Sequence, residues 1–129
     1  MENTEVLFSQ ALQAGRERDY RKASNLLLRI VSETDTIPQA YLYLGRSYHA
    51  LGNLDLAIQF LHYFTELKPR VGAGHFFLGR AYFARRLSRK AAGELSQAIQ
   101  LEPENSHAHA LLGMTYLRLR DTSQAAHFL

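Results

Sequence analysis

Residues 38–71 read PQAYLYLGRSYHALGNLDLAIQFLHYFTELKPRV. Tyr41, Leu44, Gly45 and Tyr48 recur at the three- and four-residue spacing of a helix with one buried stripe. Gly52 and Asn53 interrupt that stripe with residues that favour turns. It resumes at Ala57, Leu61 and Phe64 and stops before Pro69, which cannot continue a helix. The stretch is therefore one helical hairpin.

The rest of the chain copies its spacing. A shift of 34 residues carries Gly45 to Gly79 and Gly113, Tyr48 to Tyr82 and Tyr116, and Pro69 to Pro103. The same shift carries Ala57 back to Ala23 and forward to Ala91 and Ala125. A fixed period of this length marks a stacked-repeat protein. On these residues the chain resembles the tetratricopeptide repeat (TPR) family over nearly its whole length. The resemblance implies an all-α, right-handed TPR α-solenoid of antiparallel helix pairs. It is read here as a single domain, 1–129, with repeats at 4–37, 38–71, 72–105 and an incomplete 106–129. The fourth repeat is expected to stop inside its second helix, with no polar capping helix after it. That suggests a fragment of a longer protein, or an end covered by a neighbouring chain.

Small residues have a packing reason at the repeated positions, since two antiparallel helices approach closely only where facing side chains are short. Glu2, Asn3 or Thr4 is expected to cap the first helix, and Pro38 to occupy a first turn, where its missing N–H costs nothing. The first repeat is degenerate, with Ala11 and Ala14 in the glycine and tyrosine positions. Gly72 and Gly74 lower the helix propensity where the third repeat begins. His75 and His109 stand in a large-aromatic position and read as packing residues.

Composition is that of a globular chain, 47% hydrophobic and 21% charged over 129 residues. The absence of cysteine excludes disulfides, thiolate metal sites and cysteine nucleophiles. The N-terminal MENTEVLF lacks the pattern of a signal peptide, and no run is apolar enough to span a bilayer, so a cytoplasmic setting is expected. No catalytic constellation is present, and no cofactor or metal is expected. His107 and His109 lie two apart and face different ways on a helix, which suits no shared metal. The chain is not expected to be an enzyme.

The TPR resemblance implies that the first helix of each repeat lines a concave groove. The residues expected there are Phe8, Leu12, Leu42, Tyr43, Arg46, His49, Phe76, Phe77, Arg80, Phe83 and Met114. Their apolar content points to an interaction site, and Arg46 and Arg80, one period apart, suit a carboxylate beside apolar anchors. The expected ligand is a protein or peptide partner, an apolar and acidic segment or an amphipathic helix. Tyr43 and Phe77 have a second reading, as packing between repeats. Some TPR proteins bind the Glu-Glu-Val-Asp tails of chaperones through a carboxylate clamp. The matching positions here hold Phe8, Leu12, Tyr43, Ala73 and Phe77, which argues against a chaperone C-terminal tail.

Two other surfaces stand out. Arg16, Arg18, Arg21 and Lys22, then Arg85, Arg86, Arg89 and Lys90, then Arg118 and Arg120 fall near the expected turns within repeats. This reads as a solvated edge or as a basic surface for nucleic acid or membrane, and Gly52, Asn53 and Asp55 interrupt it, which argues against nucleic acid. Leu56, Phe60 and Tyr63 form an apolar row that reads either as a second contact surface or as packing on the neighbouring helix. The alternative function is a self-assembling structural scaffold, a homo-oligomer formed through the open C-terminal end by Tyr116, Phe128 and Leu129.

Overall fold

The computed structural model describes residues 3–128, with side chains described as far as residue 120. The backbone is all-helical, with no strand among the described residues: α1 Thr4–Arg16, α2 Tyr20–Glu33, α3 Gln39–Ala50, α4 Leu54–Leu67, α5 Gly72–Ala84, α6 Ser88–Leu101 and α7 Ser106–Phe128. The four first helices start at or one residue after the repeat boundaries Thr4, Pro38, Gly72 and Ser106. The chain divides into two compact units, Met1–Lys68 and Pro69–Leu129.

In the first unit α1 packs on α2, α2 on α3, and α3 on α4. Leu7, Ala11, Leu27, Ile30, Ala40 and Leu44 form its buried cluster. Short polar side chains start three of its helices. Asn3 accepts from the Glu5 N–H at 2.8 Å, Asp19 from Lys22 at 3.1 Å and Asn53 from Leu56 at 3.2 Å; each satisfies an N–H that the helix leaves over. Of the candidate caps for α1, Glu2 lies outside the described residues. Gly45 is where α3 and α4 touch. A Cβ there would sit 2.6 Å from Leu61 Cδ2 and closer still to its Cγ. Phe60 of α4 stacks on Tyr48 of α3, with centroids 5.7 Å apart and planes 9° off parallel, and lies 6.3 Å from Tyr41. Tyr63 reaches the same Tyr41 at 4.6 Å. Phe60 and Tyr63 thus pack on the neighbouring helix. Burial, then Tyr63 and Asp35, push the Tyr41 hydroxyl above its usual range of about 10.0.

In the second unit α5 packs on α6 and α6 on α7. Gly79 repeats the close approach: a Cβ there would meet Leu95 Cγ at 2.8 Å and the Leu95 backbone N at 3.3 Å. A Cβ at Gly72 would lie 2.8 Å from a Glu102 carboxylate oxygen, the end of a flexible side chain that can move aside. His75 is more than a packing residue. Its Nδ1 lies 2.8 Å from Glu94 Oε2 and its Nε2 lies 2.8 Å from the Pro69 carbonyl oxygen, both acceptors. His109 Nε2 meets the Pro103 carbonyl at the same 2.8 Å, one period later. Imidazole serves here as a polar strut from a first helix to the loop before it. His75 and Glu94 stand one period after Tyr41 and Phe60, so a hydrogen-bonded couple occupies the place of a stacked aromatic one.

The turns between paired helices share a left-handed residue: Arg18 at φ 60°, Gly52 at 85° and Arg86 at 65°. The next position in that series, Arg120, does not form a turn. Helix α7 runs unbroken from Ser106 to Phe128, where the repeat pattern predicts a break between residues 118 and 121. Leu119 and the flanking arginines are good helix formers and no glycine intervenes, so the helix continues through Asp121, Thr122 and Ser123 despite their weaker propensity. Arg118 and Arg120 therefore lie within a helix and not at a turn. The side chains of Ala125 and Phe128 are not among those described, and Leu129 lies outside the described residues. No helix among the described residues is long and apolar enough to cross a membrane.

Candidate peptide-binding surfaces

The expected contact residues gather in two places, one in each unit. In the first, Phe8 of α1 meets Tyr43 of α3 edge-on, with centroids 5.8 Å apart and planes at 70°. Tyr43 therefore packs on the preceding repeat while keeping part of its ring exposed. Arg46, one turn further along α3, holds its guanidinium 5.3 Å from the Tyr43 centroid, within cation–π range. Beside them lies a cleft of about 350 Å³ lined by Leu12, Arg16, Tyr20, Tyr43, Arg46 and Ser47, among others. Arg16 is steadied by Gln13, whose Oε1 accepts from its Nε at 3.2 Å and from Nη2 at 3.0 Å. Two guanidinium groups thus border one partly apolar cleft.

The second unit repeats the motif. Phe76 and Phe77 of α5 meet edge-on at 5.0 Å, and Arg80 stands 4.9 Å from the Phe77 centroid. With His107, Ala110, Leu111 and Met114 of α7 they line a cleft of about 470 Å³. Met114 is 52% exposed at its mouth. The arginine–aromatic pairing follows from sequence, because residues three apart share a helix face.

Three expected contacts fall elsewhere. Leu42 is 7% exposed. Helix α3 is flanked by both α2 and α4, whereas α1 has α2 alone in its unit, so less of its circumference stays open. His49, in the last turn of α3, is half-buried and lines neither cleft. Phe83 lies under Arg118 of α7, whose guanidinium carbon is 3.6 Å from the ring centroid, while its Nη1 donates to the Phe83 carbonyl at 2.8 Å. That arginine braces the last turn of α5, where the helix leaves carbonyls unsatisfied, and so is not part of an open basic edge. Conversely, Tyr20 and Ser47 line the first cleft from positions outside those expected to face a groove. Tyr20 alone lies on a second helix, a position that the first-helix rule passes over.

Antiparallel helix pairs repeated every 34 residues, each close-packed at a small residue, define a tetratricopeptide-type repeat. The chain belongs to the tetratricopeptide repeat family, whose model matches residues 8–71 and 76–129. No curated protein matches it. Among solved structures, the first TPR of Spaghetti (RPAP3) bound to an HSP90 peptide is similar at 18% identity and TM-score 0.87, covering 91% of this chain and 93% of that one. The Sgt2 TPR domain from Aspergillus fumigatus is similar at 20% identity and TM-score 0.88, covering 98% and 85%. The Yersinia enterocolitica type III secretion chaperone SycD, in complex with a peptide of the translocator YopD, is similar at 19% identity and TM-score 0.81, covering 88% and 92%. At these identities the likeness is one of fold.

Proposed function

We propose that this chain is a protein-interaction scaffold whose two clefts take short segments carrying an apolar side chain followed by a carboxylate. The observation that carries this reading is the repeated pairing of a half-buried aromatic with an arginine one turn on, Tyr43 with Arg46 and Phe77 with Arg80, each beside a partly apolar cleft. The aromatic face and the cleft wall bury the anchor. The guanidinium, already oriented by the ring beneath it, fixes the acid and with it the direction of the segment. The RPAP3 and SycD neighbours are each bound to a peptide, which supports a binding role for this fold.

The Glu-Glu-Val-Asp chaperone tail fits poorly, because Phe8, Leu12, Tyr43, Ala73 and Phe77 offer no cation to its two carboxylates. An array of acidic peptides with one apolar anchor tests the proposal. Binding should fall at least about tenfold, the loss of one well-placed contact, in either Tyr43→Ala/Arg46→Ala or Phe76→Ala/Arg80→Ala. Equal binding by wild type and both variants, or tight binding of a chaperone tail lost on Arg80→Ala, overturns this reading.

A further inference from the structure

Four serine and threonine side chains are buried among the described residues: Ser24, Ser47, Thr65 and Thr115. Three of them turn back on their own helix. Ser24 donates to the Arg21 carbonyl at 2.9 Å, Thr65 to that of His62 at 2.7 Å and Thr115 to that of Leu111 at 2.7 Å. Ser47 does not. It is 5% exposed, its hydroxyl has no hydrogen-bond partner among the described residues, and it lines the first cleft. A buried hydroxyl left unpaired is costly, so one that faces a cleft points to a ligand. Packing does not demand it, because one period on the same place is held by the fully buried Ala81.

The polar groups around Ser47 are of one kind. Arg16, Tyr20 and Arg46 line the same cleft, and no acidic residue lines it. Gln13 engages the Arg16 guanidinium through Nε and Nη2, which leaves Nη1 to donate to another group. Two guanidinium groups, a phenol and a serine hydroxyl thus border a space of about 350 Å³. A carboxylate brings one charge and two oxygens to such a site. A phosphate monoester brings about two charges and three strong acceptor oxygens, which matches two arginine forks with hydroxyl donors beside them. The second cleft lacks this set: two periods on, Ala84, Met114 and Thr115 replace Arg16, Arg46 and Ser47, and that threonine is turned onto its own helix. We infer that the first cleft receives a phosphorylated side chain of a partner peptide and that the second does not. This inference rests on the reading of the clefts as peptide sites and specifies the acid that the first one prefers. Leu12 and Tyr43 supply an apolar wall for the neighbouring side chain, which a lipid headgroup or a nucleic-acid backbone would leave unused.

Fluorescence anisotropy with three labelled peptides tests it. They share a leucine anchor and differ only at the following residue, which is phosphoserine, glutamate or serine. Wild type should bind the phosphoserine peptide at least about tenfold tighter than the glutamate one, the gain of one well-placed contact. Ser47→Ala should erase most of that preference and leave the binding of the glutamate peptide in place. Arg16→Gln, at an exposed position, should do the same without disturbing the core. Equal binding of the phosphoserine and glutamate peptides by wild type overturns this inference and leaves the broader peptide reading standing. Binding of none of the three overturns it as well, and the peptide array then decides whether the broader reading stands. A preference that survives both substitutions overturns the location. Tighter binding of a short single-stranded RNA, or of vesicles with a phosphorylated headgroup, lost on Ser47→Ala, overturns the assignment to a peptide.

Discussion

Gly45, Gly79 and Gly113 hold one position in three repeats, yet they do not have the same task. A methyl group at Gly79 would press on Leu95 Cγ at 2.8 Å and on backbone at 3.3 Å, whereas at Gly113 it would meet nothing within 4 Å among the described residues. Gly79→Ala should therefore cost roughly 1–3 kcal/mol through overpacking. Gly113→Ala should be neutral or stabilise by up to about 1 kcal/mol from helix propensity. Urea unfolding of both variants checks the contrast, and equal effects would mean that the space beside Gly113 is filled. The sequence announces the small-residue position clearly but cannot say whether a partner occupies it. It also hides the left-handed turn residue, because Arg18 and Arg86 take a conformation that glycine adopts freely and arginine at a cost. Leu42 is buried where helical spacing points to the groove, because that spacing gives the direction of a side chain but not how many neighbours crowd it.

At the scale of the helix, starts are more legible than ends. Asn3, Asp19, Asn53 and Asn105 all accept from the first turn of the helix they precede. Helices α3, α5 and α6 start without such a bond, with Pro38, Val71 and Leu87 at their N-caps. Leu87→Asp, restoring the residue type of Asp19 one repeat period on from Asn53, should stabilise the chain by about 1 kcal/mol. A thermal melt checks it, and a lowered midpoint would show that the 40% exposed Leu87 side chain is packing after all. The continuous α7 was not legible, because Asp121, Thr122 and Ser123 carry the weak propensity and capping chemistry of a helix start, and only the absence of a glycine speaks for continuity. The same limit applies to the clefts. Pairs such as Phe77 and Arg80 can be read from one helix, but Tyr20, His107 and Leu111 enter from a facing helix, and the distance between helices is not written in either one.

For the molecule as a whole, stability against pH gathers these local environments into one measurable curve. Burial raises the hydroxyls of Tyr41 and Tyr82 above 10.0, with Tyr63 and Asp35 adding to the first and Glu94 to the second. Above that pH the unfolded chain has released protons that the folded chain still holds, so unfolding becomes easier as pH rises through this window. Urea midpoints taken at about pH 9 and about pH 11 should fall less in Tyr41→Phe/Tyr82→Phe than in wild type. An identical fall would mean that these hydroxyls do not sense their surroundings. The 34-residue period makes the architecture plain from sequence, since any one helix pair predicts the next. What it conceals is substitution in couples. Where the second repeat stacks Tyr41 on Phe60, the third sets His75 against Glu94. Grafting one member across strands a carboxylate against a phenol, or an imidazole against a benzyl ring. The smallest transferable module between neighbouring repeats is thus a matched duo, and engineering that shuffles single positions will break what shuffling both would preserve.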